Sequence, residues 1–550
     1  MIRNLIKSIN KKEWHFLIAI TLFVIFLTTA PYLYGWHQTP ENYSYTGLHS
    51  LTPSDIHVYF SWIESIKQGN LFIENLYTSE PQARVMLNIF WSSVGLFAKL
   101  TGLSNIIVFH ITRIILIPFF LFLLYLLASY FWSDKTWRRI CFIFLTFASG
   151  LGFAISGIID DSVYRKGWYN WPLDLWAPEN NNLLTMLYSP HLILSTMLLI
   201  LVIFLVFFSL QKNKIKYSVS AGFLAMILFQ FHPFHTPTIF GVLFIYLLIQ
   251  FIIHKRIIFS YLKHIFIFSL VSSPSIFYWL VLEQNNFIIQ IRTYQNICLT
   301  PSLWVTVFSY GFILILAIFA IFVLIKKNKL NNLNIFLITW LIVQFALLYS
   351  PFNFQRRMMQ GLQIPMILLA VIGLNYIYCY LKARLPAEKF DFWVSNKYLA
   401  VILFVLLFGS SHIFNWVREF SVVVNKTQPV LYISNDTTAA FDWFKQNTQP
   451  SQVILTDLNN GNLIPGRIGH KVFLGHGVET LFFNSKFEQV NWFFSNNNLD
   501  DKKKLFLKNN NISYILYTSQ TRNLGDFQPS KKDYLQQVFQ KGELKIYKVK

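Results

Sequence analysis

Residues 105–139 read NIIVFHITRIILIPFFLFLLYLLASYFWSDKTWRR, and this stretch decides both the fold class and the orientation of the chain. Its first part, 105–131, is an almost uninterrupted apolar run, long enough for one helix to cross the hydrocarbon core of a bilayer. The run is followed by a basic cluster formed by Lys135, Arg138 and Arg139. Because short cytoplasmic loops are enriched in lysine and arginine, we expect this cluster to lie on the cytoplasmic face.

Composition places the whole chain in the same class. Hydrophobic residues make up 54% of the sequence, only 13% of residues are charged, and the mean hydropathy is +0.44. A soluble chain of this composition would expose far too much apolar surface, so we predict a multi-pass α-helical membrane protein. The apolar runs predict about eleven transmembrane helices, at 14–34, 105–131, 139–158, 185–210, 217–231, 237–253, 257–281, 302–325, 333–350, 362–381 and 397–413.

The charge of the connecting segments predicts the topology. Basic clusters recur on one side of the predicted membrane, at 3–12, 135–139, 212–216, 255–256, 326–329 and 382–389. The positive-inside rule makes this side cytoplasmic, which places the N-terminus inside and the C-terminus outside. The formal net charge of +21 then reflects loops that face anionic lipid, and it does not indicate a nucleic-acid partner.

The apolar run at 85–102 is borderline in length and decides the arrangement of every later loop. If it crossed the membrane, the cluster at 135–139 and all later basic clusters would change sides. We therefore predict an amphipathic helix that lies on the outer surface. The outer segments are then 35–104, 159–184, 232–236, 282–301 and 351–361, followed by the tail.

The chain changes character at about residue 421, where polar runs and shorter apolar segments begin. We predict a transmembrane domain over 1–420 and a small extracytoplasmic α/β domain over 421–550. Periodicity predicts helices at 437–447 and 500–508 and strands at 452–456, 512–518 and 543–549. Two polar, glycine-containing stretches, 459–462 and 466–470, are expected to be turn-rich edges that face the site.

The first outer segment contains an acid in an aromatic, helix-like stretch, PSDIHVYFSW at 53–62. A carboxylate held where a membrane surface excludes water can accept a proton from a hydroxyl, so Asp55 is a candidate general base. The alternative is that Asp55 caps a helix beginning at Ile56, because Ser-Asp after proline is a common start signal. His57 and Tyr59, on the same stretch, are candidate substrate-binding residues.

The second outer segment reads GWYNWPLDLWAPEN at 167–180. Its tryptophans, including Trp171 and Trp176, suit either an interfacial aromatic belt or a surface on which a sugar stacks. Asp174 and Glu179 are candidates for binding acceptor hydroxyls or a divalent cation such as Mg²⁺ or Mn²⁺. His191, at the start of a predicted span, could join them. The alternative is that all of these are ordinary loop residues without a function.

Two further groups of polar residues lie in or beside the predicted spans. His232 and His235 are separated by a proline in FHPFHTPT at 231–238 and could donate hydrogen bonds to a phosphate or, with a third ligand, bind a metal. Arg113 lies in the outer half of the second span, where an ionisable residue is costly and is a functional hypothesis by default. On this ground we predict that Arg113 binds the donor phosphate.

The last outer loop reads PFNFQRRMMQG at 351–361 and carries two arginines on the side where basic residues are otherwise scarce. Guanidinium groups at the lipid boundary suit bidentate capture of a phosphate, so Arg356 and Arg357 are candidates for holding a lipid-linked phosphate. The alternatives are snorkelling to the interface or a salt bridge to an outer carboxylate such as Asp174.

Together these features resemble the C-type (GT-C) glycosyltransferases, which include protein mannosyltransferases, aminoarabinose transferases and oligosaccharyltransferases. The stretches that carry the resemblance to poorly characterised bacterial and archaeal members are Pro172–Glu179, Pro190–His191, His232–Pro233 and Phe354–Pro365. Many members have two adjacent acids in the first loop, whereas Asp55 has no acidic neighbour. The Trp-Trp-Asp motif of oligosaccharyltransferases is missing, so a peptide asparagine is not expected as the acceptor.

The resemblance implies inverting transfer of a sugar from a polyprenyl-phosphate donor to a glycan, lipid or protein acceptor on the outer face of the plasma membrane. Asp55 would act as the base, and Arg356 and Arg357 would hold the departing phosphate. Two other functions agree with the sequence: a transporter or lipid flippase of the cell envelope, and a non-catalytic protein of envelope assembly. A transporter would more often show inverted repeats and broken helices at the midplane.

Overall fold

Helices make up most of the described part of the chain. The computed structural model describes residues 2–51, 53–159, 164–165, 168–388, 390, 396–425, 431–495 and 499–550; parts of the predicted loops 159–184 and 382–389 lie outside them. Eight helices among these residues are long and apolar enough to cross a membrane: Lys11–His37, Asn105–Phe131, Pro190–Lys212, His235–His254, Phe259–Asn285, Leu303–Lys326, Gln355–Arg384 and Tyr398–Val424. The multi-pass helical class is confirmed.

Three predicted spans correspond to shorter helices, namely Lys135–Phe147, Ile215–Phe231 and Asn332–Leu347. At a rise of 1.5 Å per residue, the 17 residues of Ile215–Phe231 extend about 25 Å, which is less than the hydrocarbon core of about 30 Å. The predicted eleven spans therefore exceed the number of span-length helices in the described part of the chain.

The predicted span at 139–158 is interrupted near its middle. The N–H of Ser149 donates to the carbonyl of Phe408 at 2.6 Å instead of continuing the helix. Gly150 runs against a neighbouring helix so closely that a Cβ atom there would lie 2.2 Å from the carbonyl oxygen of Ser309. The prediction of one continuous span here is wrong, because hydrogen bonds to neighbouring elements replace the helical ones.

The borderline run at 85–102 forms the short helix Ile89–Thr101. Asn88 caps its N-terminus by accepting a hydrogen bond from the N–H of Trp91, and Gly102 ends it in the left-handed region at φ 70°. Thirteen residues extend only about 20 Å, so this helix is too short to cross a bilayer. Its place on the outer surface stays a prediction.

The chain forms two compact units. The first unit consists of Met1–Ala30, Thr112–Trp279 and Ile297–Arg418, and the second unit consists of Pro31–Ile111, Leu280–Asn296 and Glu419–Lys550. The second unit therefore joins the first predicted outer segment to the tail, a grouping that the division of the sequence at residue 420 did not anticipate.

The tail part of the second unit is built on a four-stranded sheet. The strands of the described residues are β1 (Tyr43–Tyr45), β2 (Tyr164–Arg165), β3 (Trp168–Tyr169), β4 (Tyr432–Ser434), β5 (Val453–Leu455), β6 (Ile512–Tyr517), β7 (Leu535–Lys541) and β8 (Leu544–Val549). The sheet has the order β5-β6-β8-β7, with β5 parallel to β6 and the other neighbours antiparallel. The predicted α/β class of the tail is confirmed, and β1 of the first outer segment pairs antiparallel with β4.

Helices cover this sheet and complete the two units. In the tail they are Asn435–Asn447, Leu458–Ile468, Phe483–Ser495, Asp500–Asn509 and Ser519–Arg522. The remaining helices are Ile2–Ser8, Pro53–Lys67, Gly152–Ile155, Asn182–Tyr188 and Phe287–Gln295, while the last predicted span contains Lys397–Phe404 and Ser410–Asn425. Phe493, Leu455 and Ile515 are fully buried in the core between the tail sheet and its helices. The predicted helices and strands of the tail all occur, with ends within about two residues.

The two stretches expected to be turn-rich edges lie instead largely in the helix Leu458–Ile468. Asp457 begins this helix by accepting hydrogen bonds from the N–H groups of Asn459 and Asn460. Asparagine and glycine favour turns in isolation, but a side-chain cap and a buried face outweigh that local preference here. The prediction of turns at 459–462 and 466–468 is wrong.

We expect Gly461→Ala to destabilise the second unit, although alanine ordinarily favours a helix more than glycine. A Cβ atom at Gly461 would lie 2.0 Å from the carbonyl oxygen of Leu474, so the backbone must move. The expected loss is about 1–3 kcal/mol, the usual range for overpacking. Thermal unfolding of the full chain in detergent measures this loss. The matched control is Gly477→Ala, because a Cβ atom there meets nothing within 4 Å; an unchanged or raised melting temperature for Gly461→Ala would contradict the prediction.

Candidate active site

Asp55 lies in the first turn of the helix Pro53–Lys67, which belongs to the second unit. Because this helix begins at Pro53, Asp55 is its third residue and does not precede a helix that starts at Ile56. The capping alternative is therefore wrong in the form expected from the sequence. The Asp55 side chain is 52% exposed, so a ligand can reach its carboxylate.

The carboxylate of Asp55 is held by a histidine from the tail. Nε2 of His476 lies 3.0 Å from Oδ1 of Asp55, and the imidazole is nearly buried. The ring of Tyr77 meets the imidazole edge-on, with centroids 5.8 Å apart. The candidate base is thus fixed by a residue more than four hundred positions away in the sequence.

A partly buried ion pair lies next to this histidine in the same unit. Nε of Arg292, from the helix Phe287–Gln295, lies 2.8 Å from Oε1 of Glu479. The Arg292 guanidinium also lies 5.7 Å from the ring centroid of Trp62. These contacts tie the His476 segment to the helix that carries Asp55.

His57 and Tyr59, predicted to bind substrate, pack within the second unit. His57 is fully buried, and burial, followed by electrostatic interactions with Arg467 and His476, lowers its pKa to about 3. Tyr59 stacks on Trp91 with ring centroids 4.7 Å apart. Both residues support the helix that carries Asp55, and contact with substrate stays a prediction for them.

The first unit contains a second group of candidate residues, which we call the arginine site: Arg356, Arg357, Trp176, Phe234 and Cys298. Arg356 and Arg357 lie in the 3₁₀ turn Gln355–Met359. Their guanidinium groups point to different rings, Arg356 over Trp176 at 4.2 Å and Arg357 over Phe234 at 4.9 Å. The two arginines therefore diverge, as expected for neighbouring positions on a helical turn.

The electrostatic field of the arginine site favours an anion. The backbone N–H of Arg356 donates to the carbonyl of Cys298 at 3.1 Å, which holds this thiol against the turn. Burial alone would raise the pKa of the Cys298 thiol, but the guanidinium groups of Arg357 and Arg356 outweigh burial and lower it. The same guanidinium charges would favour a bound anion at this position.

The predicted histidines lie beside the arginine site. The helix Ile215–Phe231 ends just before His232 and the next helix begins at His235, as the intervening proline predicted. The His232 ring lies 4.9 Å from that of His235 and 5.9 Å from that of His191, between centroids. Burial, followed by the charges of His235, His191 and Arg357, lowers the pKa of His232. Neutral His232 can donate one N–H to an anion but adds no charge.

Asp174 lies in a different environment from the one predicted. It is fully buried, and its Oδ2 accepts a hydrogen bond from the N–H of Gly152 at 3.0 Å. Burial raises the pKa of Asp174 to about 7, against the opposing effect of hydrogen bonds from Ser411 and Gly152. The sequence left open a salt bridge between Asp174 and Arg356 or Arg357 as the alternative to phosphate binding. Asp174 instead accepts these local hydrogen bonds. Glu179 is half-buried in the same segment.

The aromatic cluster of the second outer segment surrounds Arg356. Nε1 of Trp176 donates to the carbonyl of Trp171 at 3.3 Å, and Tyr169 meets Trp176 edge-on at 5.1 Å between centroids. Because Trp176 also stacks under the guanidinium of Arg356, the structure supports a positioning role for this ring. A sugar-stacking role for Trp171 and Trp176 stays a prediction.

Arg113 is fully buried in the first unit and serves the packing of its helix. Its Nη1 donates to the carbonyl of Met186 at 3.1 Å, and its Nη2 donates to the hydroxyl of Thr29 at 3.2 Å. These two hydrogen bonds engage part of the guanidinium, and phosphate binding by Arg113 stays a prediction.

The described residues hold no group of three or more His, Cys, Asp or Glu side chains arranged to bind a metal ion. Among the described residues, no third His, Cys, Asp or Glu side chain is placed to complete a metal site with His232 and His235. A divalent cation stays a prediction.

Sequence reasoning missed His476, Arg292, Glu479 and Cys298. One signal could have identified His476, because it lies between two glycines in Gly475-His476-Gly477. Glycines on both sides of a histidine indicate a segment whose backbone approaches another element closely. Nothing in the sequence linked that segment to Asp55.

The fold defines a class: a multi-pass helical membrane protein whose architecture is similar to that of solved GT-C glycosyltransferases. No family model matches the sequence, and no curated protein matches it. The solved structures supply the likeness. The apo form of the oligosaccharyltransferase of Archaeoglobus fulgidus matches with a TM-score of 0.55 at 11% identity, over 92% of this chain and 70% of that one.

Two ligand-bound structures match as well. The oligosaccharyltransferase AglB from Archaeoglobus fulgidus, in complex with an inhibitory peptide and a dolichol-phosphate, gives a TM-score of 0.51 at 9% identity, over 92% of this chain and 70% of that one. ArnT from Cupriavidus metallidurans, bound to undecaprenyl phosphate, gives a TM-score of 0.50 at 11% identity over 98% of both chains. At identities this low the structural similarity shows the fold alone. It confirms the GT-C-like architecture expected from the sequence.

Proposed function

We propose that this chain is an integral membrane glycosyltransferase. It transfers a sugar from a polyprenyl-phosphate donor to an acceptor hydroxyl on the outer face of the plasma membrane, with inversion at the anomeric carbon. The observation that carries the proposal is the exposed carboxylate of Asp55, at the start of the first helix after the first span and anchored by His476. The GT-C fold, matched over nearly the whole chain, supports it.

In this mechanism Asp55 acts as a general base. The acceptor oxygen attacks the anomeric carbon while its proton passes to the Asp55 carboxylate, and the bond from the anomeric carbon to the phosphate oxygen breaks. A single displacement of this kind inverts the anomeric configuration. General-base catalysis of a hydroxyl typically contributes about 10²- to 10⁴-fold to the rate.

The leaving group is the polyprenyl phosphate, whose negative charge grows as the sugar leaves. We assign its stabilisation to Arg356 and Arg357, because planar guanidinium groups bind phosphate oxygens in a bidentate way. The effect of both guanidinium groups on the neighbouring Cys298, whose pKa they lower against the effect of burial, agrees with this assignment. His232 and His235 would add neutral hydrogen-bond donors.

Donor consumption in proteoliposomes tests the proposal. The full chain is reconstituted with a polyprenyl-phosphate sugar labelled in the sugar, and a cell-envelope extract supplies acceptors. We expect free polyprenyl phosphate to form together with a labelled product whose anomeric configuration is inverted. Movement of labelled donor across the bilayer without product would favour a flippase. An intact donor that stays in its leaflet would favour a non-catalytic assembly protein.

A further inference from the structure

His476 offers two ring nitrogens with different partners, and these partners determine where its proton lies. Nδ1 accepts hydrogen bonds from the backbone N–H groups of Val478 at 3.2 Å and Glu479 at 3.1 Å. A nitrogen that accepts two N–H donors carries no proton of its own. The ring proton therefore lies on Nε2, which donates to Oδ1 of Asp55 at 3.0 Å.

The segment that carries this imidazole is tightly held. The hydroxyl oxygen of Thr480 accepts hydrogen bonds from the N–H groups of Gly475 at 3.0 Å and His476 at 3.1 Å. Gly475 lies so close to the helix Leu458–Ile468 that a Cβ atom there would lie 2.3 Å from the carbonyl oxygen of Gly461. The imidazole is thus presented to Asp55 by a backbone with little freedom to move.

We propose that His476 is the positioning residue of the candidate base: as a neutral imidazole it donates its Nε2 proton to Oδ1 of Asp55 and orients the carboxylate toward the acceptor. This inference rests on the proposed function for its role in transfer. The contact itself is independent of that function. Productive proton transfer needs a defined geometry, and this hydrogen bond contributes to the orientation of the carboxylate.

His476 does not serve as a proton relay in this arrangement. A second proton could enter the ring only at Nδ1, where it would face the N–H groups of Val478 and Glu479. The histidine therefore donates to the Asp55 carboxylate without accepting the proton that Asp55 removes. The proton stays on Asp55 until it passes to water at the exposed side of the carboxylate.

Other ionisable groups of the second unit lie around this pair. Tyr77 interacts electrostatically with both Asp55 and Glu479, while Glu479 is paired with Arg292. The electrostatic neighbours of His57, on the same helix as Asp55, are Arg467 and His476. The His476 substitutions chosen below leave Tyr77, Glu479, Arg292, His57 and Arg467 in place.

Three variants of the full reconstituted chain separate positioning from packing. His476→Phe keeps a ring of similar size but removes the donor, and His476→Gln restores an N–H donor near the position of Nε2. The matched control is His470→Gln in the same unit, because His470 bonds to Thr448 and to the carbonyl of Ile468 and not to Asp55.

The first readout is labelling of Asp55 by a hydrophobic carbodiimide, which reacts with protonated carboxyl groups and is located by peptide mass spectrometry. A hydrogen bond donated to the carboxylate favours its charged form. Loss of the donor in His476→Phe should therefore raise the pH midpoint of labelling by about 1 unit, as expected for a charge-assisted bond at a half-exposed group. His476→Gln should lie close to wild type, and His470→Gln should be unchanged.

The second readout is the pH profile of kcat/KM for sugar transfer. Because the base must be deprotonated, the acidic limb should move upward with the labelling midpoint in His476→Phe. At neutral pH kcat should fall about 10-fold, because the carboxylate is no longer oriented by His476. An unmoved labelling midpoint in His476→Phe, or an equal shift in His476→Gln, would overturn the inference. Absence of transfer by the wild type would instead count against the proposed function alone, since the labelling shift tests the contact without it.

Discussion

Asp55→Asn should reduce sugar transfer by about 10³-fold while leaving the amount of folded protein unchanged. Asparagine keeps the size of the side chain, and its amide oxygen can still accept the hydrogen bond that Nε2–H of His476 donates. The amide cannot accept a proton from an acceptor hydroxyl, so the barrier to displacement rises. The measurement is the rate of polyprenyl-phosphate release from the labelled donor in proteoliposomes.

The matched control for this prediction is Asp442→Asn, an exposed aspartate on the helix Asn435–Asn447 of the same unit. It removes the same charge without touching the His476 contact and should leave the rate within a factor of about two. Donor binding by Asp55→Asn should also be unchanged, because the substitution leaves the proposed phosphate-binding residues Arg356 and Arg357 in place. A transfer rate within tenfold of wild type would rule out Asp55 as the base.

The class of fold was predictable because it depends on patterns that lie along the chain. Apolar runs of span length and recurrent basic clusters predicted a multi-pass helical protein, and the periodicity of the tail predicted its α/β character. These patterns fail where tertiary contacts override local preference. At Ser149 and Gly150 the backbone bonds to other elements and breaks an apolar run that reads as one span.

The candidate site was predictable only in part, for a different reason. Asp55, Arg356 and Arg357 were identifiable because a charged residue near a predicted membrane boundary is costly and therefore informative. His476 lies in the tail, in the stretch VFLGHGVETLFF at 472–483, far from any predicted membrane boundary, where a histidine carries no such cost. Its role depends on a contact with Asp55 across more than four hundred residues of sequence, which periodicity and spacing do not report.

Removal of both guanidinium groups, in Arg356→Ala/Arg357→Ala, should reduce transfer by about 10³-fold. Removing one preorganised donor that stabilises developing negative charge typically costs about 10²- to 10³-fold in kcat. We expect each single alanine variant to lose about 10²-fold, because the two arginines lie over different rings and cannot fully replace each other. Arg356→Lys should lose less activity than Arg356→Ala, because lysine retains the positive charge. It should still be slower than the wild type, because lysine has neither the bidentate fork nor the flat stacking on Trp176.

The same variants should bind the product, polyprenyl phosphate, at least about tenfold more weakly, as measured by titration of the reconstituted chain with the lipid. Neutral polyprenol is the control ligand, because its isoprenoid chain is the same and only the phosphate is missing. The control variant is Arg384→Ala at the exposed end of the helix Gln363–Arg384, which removes an arginine remote in sequence from the turn Gln355–Met359. If the double variant bound polyprenyl phosphate as tightly as the wild type, the arginine site would not be the phosphate site. If it lost affinity for polyprenol equally, the arginines would serve the packing of their loop.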